Sequence, residues 1–145
     1  MATITRVLVP SDFSECSGRA LDYAKTVADR FGASLDLLNV VPNPYVAAAS
    51  EVNVPLPQEF LDELEGEARQ QLEAALSPAE RSRFHAQVSV QIGDPLLAIV
   101  EYAKANAIDL IVMGTHGRTG LAHVVLGSVA ERVVRTAPCP VLTVR

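Results

Sequence analysis

The sequence predicts an α/β fold in which a single domain, residues 1–145, forms an open, doubly wound sheet of five parallel strands with helices on both faces. Two observations carry this. Short apolar runs alternate along the whole chain with longer stretches of helical period. The intervening stretches are long enough for crossovers, which make successive strands parallel and the connections right-handed.

Ile4 to Val9 is the first strand, ended by Pro10. Ser14 to Phe31 follows as a helix with its apolar stripe at Ala20, Ala24, Val27, Ala28 and Phe31, and Gly32 suits the position just past its end. Leu35 to Val41 is mostly continuous in apolar character, the mark of a strand buried on both faces. Residues 42–57 hold four prolines (42, 44, 55 and 57), which exclude a regular element and make this the longest loop. Gln58 to Leu76 regains helical spacing through Leu61, Leu64, Ala68 and Leu72, although Gly66 weakens that helix by about 1 kcal/mol relative to Ala. Ala86 to Ile92 alternates as strand three. Gly93-Asp94-Pro95 starts a helix, because Asp94 can cap it and Pro95 lacks an N–H where none is needed. Its buried stripe is Leu96, Ile99, Val100, Ala103 and Ala107. Leu110 to Met113 is strand four, and the Gly-rich segment Gly114 to Gly120 follows. The last helix runs from about Gly127 to Thr136, Pro138 and Pro140 end it, and Val141 to Val144 is strand five.

Composition narrows the function. Apolar residues at 49% and charged residues at 20% describe a globular chain able to build a core without disulfides or a structural metal. A net charge of -5 with no cluster of Lys or Arg argues against duplex DNA or RNA as the main partner. It does not argue against one small phosphate ligand held by backbone N–H groups. No apolar run reaches the length of a membrane span, and the first residues lack the apolar core of a signal peptide, so a cytoplasmic location is expected. Cys16 and Cys139 lack metal-ligand spacing and read as small apolar fillers.

In an open parallel sheet, ligands sit beyond the carboxyl ends of the strands where the strand order reverses. Strand one ends in Val9-Pro10-Ser11-Asp12-Phe13-Ser14, and strand four in Met113-Gly114-Thr115-His116-Gly117-Arg118-Thr119-Gly120. If these strands are neighbours, the two segments face each other. The second one continues to Leu126-Gly127-Ser128-Val129. Glycines at 114, 117 and 127 allow close backbone approach and positive φ. N–H groups at the start of the last helix, from Gly127 to Val129, lie at the favourable end of its dipole, and the Ser128 hydroxyl adds a donor. Together they form an anion cradle suited to a polyphosphate. The plainer alternative is a Gly-rich turn before an ordinary helix. There is no GxxxxGK[ST], and no GxGxxG follows strand one.

The segments VLVPSDFSE and DLIVMGTHGRTGLAHVVLGSVAERVVRTAPCPVLTV, with the alternation between them, resemble the universal stress proteins. The spacing of Gly114, Gly117 and Gly127-Ser128 is similar to the motif of that family's ATP-binding branch. The resemblance implies strand order 3-2-1-4-5 and a bound ATP, ADP or AMP together with Mg or Mn. It implies that Asp12, beside Pro10, lies near the ribose and reaches the phosphates through the metal. It places the Val40 backbone against adenine, Met113 and Gly114 beside the nucleotide, and His116, Gly117 and Arg118 in the phosphate loop. Gly127, Ser128 and Val129 then hold the phosphates, while residues 42–57 match nothing in the family pattern. Each position also has a plainer role. Asp12 can cap the first helix, His116 can be solvated, and Arg118 can be a surface charge that alternatively forks onto phosphate oxygens.

Three functions fit these residues. The first is an ATP-binding regulatory protein of the stress response, and the second is a slow ATPase or phosphoryl-transfer enzyme on the same site. The third is a structural dimer module. The Gly-rich loop offers one Arg, no Lys and no base other than Asp12 or His116, which disfavours the enzyme. The glycine spacing disfavours the empty module. Val141, Leu142, Thr143 and Val144 would form an edge strand blunted only by Pro140 and Arg145, and the family pairs through this strand. A homodimer is therefore expected there, with flanking helix residues such as Val133 contributing.

Overall fold

A computed structural model of the chain describes residues 2–42, 56–116 and 126–145. Five parallel strands form one sheet in the order β3-β2-β1-β4-β5. They are β1 (Arg6–Pro10), β2 (Ser34–Pro42), β3 (Gln87–Gly93), β4 (Leu110–Gly114) and β5 (Val141–Val144). Side chains alternate between the faces. Val7, Val9, Leu35, Leu37, Leu110 and Val112 point to one core, which α1 (Glu15–Phe31) and α2 (Gln58–Ala74) cover. Leu8, Leu38, Ile111 and Met113 point to the other, covered by α4 (Pro95–Ala105) and α5 (Ser128–Thr136). The expected fold class and strand order are both found.

Several details differ from the sequence reading. Pro10 is the last residue of β1 rather than its terminator, a strand position where the missing N–H is tolerated. A further short helix, α3 (Pro78–Arg83), sits between α2 and β3. Ser77 and Glu80 close a full capping box on it, and Pro78 fills its first turn. On α1 the buried face is Cys16, Ser17, Ala20, Ala24 and Ala28, whereas Phe31 is exposed at the last turn. The small side chains let α1 lie close to β4. On α4, Ala98 and Tyr102 join the stripe, and Ala107 lies beyond the helix with φ 49°.

An ion pair between half-buried Arg6 and a buried carboxylate holds the amino end of the sheet. Asp36, fully buried on β2, accepts from Arg6 Nη2 at 2.9 Å and from the Tyr102 hydroxyl at 2.7 Å. Arg6 also donates to the Asn106 carbonyl at 3.1 Å. Burial, and then the bond to Asp36, push the Tyr102 phenol up to about 12. A raised folded pKa stabilises the fold fully below the unfolded value, and that stability fades as pH climbs through the folded one. Wild type should therefore lose up to about 2 kcal/mol more than Tyr102→Phe between roughly pH 10 and 12. Urea melts across that range check this, and equal slopes for the two proteins would contradict it.

Candidate functional site

The chain leaves β1 toward β2 and leaves β4 toward β5, so the sheet order reverses between adjacent strands β1 and β4. A cavity of about 630 Å³ opens at their carboxyl ends. Pro10, Asp12, Val40, Met113, Gly114, His116, Gly127, Ser128 and Val129 all line it. The structure thus brings together every described member of the site expected from sequence. Gly117 and Arg118, and the greater part of the 42–57 loop, lie outside the described residues.

The β1–α1 turn forms one wall. Ser14 caps α1, its hydroxyl accepting from Ser17 N. Asp12 Oδ1 accepts from Ser14 N at 3.0 Å and from the Ser17 hydroxyl at 3.1 Å, so the carboxylate braces the helix start while facing the cavity. Phe13 adopts φ 65°, a left-handed conformation that bulky residues avoid. The Ser11 hydroxyl holds it by accepting from Phe13 N at 3.2 Å. Strain of this kind is kept only where neighbours over-determine the backbone.

The exit of β4 forms the opposite wall. Thr115 is buried; its N–H donates to Val144 O at 2.8 Å and its carbonyl accepts from Gly127 N. Its hydroxyl meets His116 Nδ1 at 2.9 Å. These bonds fix where α5 begins. Among the described residues no side chain caps α5, whose N-cap is Gly127, and its first N–H groups lie at the positive end of the dipole, where an anion or water suits them. The two glycines serve the close approach expected of them, without the positive φ. Gly127 has φ -68°, within reach of any residue, but a Cβ there would lie 3.0 Å from Thr115 O. At Gly114 a Cβ would lie 2.9 Å from Cys16 Sγ. Both glycines permit close packing of the walls rather than a positive φ. Cys16 is correspondingly more than a filler, because its thiol donates to Val144 O at 3.1 Å. Burial pushes that thiol up, but bonds from His116 and Thr115 outweigh burial and leave it below its usual value.

The third wall is the end of β2. The β1–β2 ladder stops at Pro10 and Leu38, while β2 continues to Pro42, paired among the described residues with β3 alone. Leu38 O faces β1, accepting from Ser11 N at 2.8 Å. By the two-residue alternation of a strand, the Val40 N–H and C=O point the same way, into the space that β1 has vacated. Buried Asn39 ties this end to the β1 turn, donating to Ser11 O at 2.8 Å. Asn39 was legible as a polar break in an apolar strand. Glu67 and Gln71 of α2 also line the cavity, and nothing in the local sequence pointed to them.

Among the described residues, no three His, Cys, Asp or Glu side chains gather as a metal site. Nor is any helix among them long and apolar enough to cross a membrane.

A doubly wound sheet, a helix start with no described side-chain cap and a strand edge thus meet at one switch-point cavity. The family model described as the universal stress protein family matches residues 3–145, and the chain belongs to that family. It is 38% identical over 141 residues to universal stress protein MJ0531 of Methanocaldococcus jannaschii, covering 97% of this chain and 81% of that one. Its structure is similar to that of universal stress protein UspA from Lactobacillus plantarum, with a TM-score of 0.77 and 31% identity over the whole of both chains. It is also similar to a universal stress protein solved in complex with cAMP, with a TM-score of 0.63 and 27% identity, covering 99% of this chain and 98% of that one.

Proposed function

We propose that the cavity binds ATP or a related adenine nucleotide, and that the protein acts through this occupancy as a regulator of the stress response. One observation carries the reading: the uncapped start of α5 and the open peptide edge at Val40 share the cavity. The α5 N–H groups and Ser128 suit phosphates, and the Val40 N–H and C=O suit N1 and the 6-amino group of adenine. The relative bound to cAMP supports the ligand class. Mg or Mn would be held by the phosphates with Asp12 beside them. Calorimetry with ATP, with and without Mg²⁺, should give micromolar affinity, about 8 kcal/mol. No heat at millimolar ATP would sink the reading. Phosphate release at saturating Mg-ATP should be slow or absent, and a steady rate near the usual enzyme value of about 10 per second would make the protein an enzyme instead.

The dimer belongs to the same proposal. β5 lies at the sheet edge with Leu142 exposed and with Val141 and Thr143 half-buried. The side chains of Val144 and Val133 are buried within the monomer, so Val144 would take part through its backbone, and Val134 is the exposed valine of α5. Pairing two copies edge to edge would satisfy the strand's open backbone groups, with roughly 800 Å² buried on each partner. Light scattering should find a wild-type dimer and a monomeric Val141→Asp, Thr143→Lys variant. A wild-type monomer at tens of micromolar protein, or a variant that stays dimeric, would contradict this interface.

A further inference from the structure

Resting on that nucleotide reading, we propose that Glu67, with Gln71 one turn further along α2, selects the base by accepting from its 6-amino group. The cavity is chemically polarised. Its phosphate end is set by α5, whose N–H groups attract anions, while the Glu67 carboxylate repels them. A triphosphate therefore points away from α2. The base then falls between the end of β2 and α2, where Val40, Val41, Pro42, Leu64 and Ala68 supply apolar surface. Glu67 and Gln71 are the polar side chains α2 presents to that slot.

Their hydrogen-bonding state agrees with a role toward a ligand. Glu65 on the same helix reaches Arg69, and Glu80 pairs with Lys25. The side chains of Glu67 and Gln71 make no hydrogen bond or ion pair among the described residues. An ionised carboxylate only accepts. It favours adenine, whose 6-amino group donates, and disfavours hypoxanthine, whose 6-keto oxygen faces it with like charge. Gln71 has both donor and acceptor and accommodates either base. Val40 C=O reads the same amine from the strand side, so Glu67 adds to a preference rather than creating it alone.

ATP and ITP carry the same triphosphate and separate base recognition from charge. Wild type should prefer ATP, and Glu67→Gln should lower the ATP-to-ITP affinity ratio by about fivefold, since the new amide can donate to the keto oxygen. Glu65→Gln, with its partner Arg69 on the same helix, should leave the ratio unchanged. Glu67 is exposed at the rim, so the variant should fold as wild type by circular dichroism. An unchanged ratio in Glu67→Gln would overturn the proposal. So would equal strengthening of ATP and ITP, which would mean that the carboxylate acts only as a charge. Wild type binding neither nucleotide would instead overturn the nucleotide reading beneath it.

Discussion

Replacing Arg6 by Met should lower the unfolding free energy by about 3 kcal/mol, because it leaves the fully buried Asp36 carboxylate without its cation. The Tyr102 hydroxyl remains as a donor, but one neutral hydrogen bond does not offset a buried charge. Asp36 lies near the start of β2 between Leu35 and Leu37, flanked by β1 and β3, and cannot turn to solvent without breaking the strand. Removing both charges tests the cause. Arg6→Met with Asp36→Leu should recover most of the loss, since an apolar pair of similar volume avoids desolvating the ions. Urea melts of the three proteins measure this. A single variant within about 0.5 kcal/mol of wild type would show that the pair contributes no more than an exposed one.

Replacing Gly127 by Val should weaken ATP binding by about a hundredfold or more and also destabilise the protein. The new Cβ would lie 3.0 Å from the carbonyl of Thr115, which already accepts from Gly127 N. The carbonyl is anchored, because Thr115 N donates to β5 and its side chain is buried against Cys16. The start of α5 must therefore move away from β4, carrying the Ser128 and Val129 N–H groups out of position. Overpacking of this kind typically costs about 1–3 kcal/mol, so the variant should melt earlier yet fold. Circular dichroism and calorimetry together decide the point. A folded variant that binds ATP as tightly as wild type would mean that the phosphates do not sit at α5.

Much of this architecture was legible because local rules agreed with one another. Continuous apolar runs at β2 and β4, the Asp94-Pro95 helix start, and proline or glycine punctuation each select one element. The short helix α3 also had its local signature in Ser77-Pro78-Ala79-Glu80. The carboxyl-end location of the site follows from topology, which is why the residues at Asp12, Val40, Met113 and Ser128 come together around one cavity. What was hidden is what depends on tertiary distance. Nothing in the sequence says that Gly114 faces Cys16, that Gly127 faces the carbonyl of Thr115, or that Val133 is covered by its own sheet. The strained turn at Phe13 was equally hidden, because the conformation comes from hydrogen bonds with Ser11 and Asp12 rather than from the propensity of Phe. Glu67 and Gln71 reach the site only because α2 crosses the end of β2, and helical period alone leaves them on an ordinary polar face.

The binding account can be tested most directly by titrating ¹⁵N-labelled protein with ATP and mapping the amide shifts. The largest changes should fall on Val40, Ser128 and Val129, with Thr115 and His116 following, while Asn106, Ala107 and Asp109 at the opposite end of the sheet stay still. No saturable shifts at millimolar ATP, or shifts centred away from the carboxyl ends of β1, β2 and β4, would contradict it.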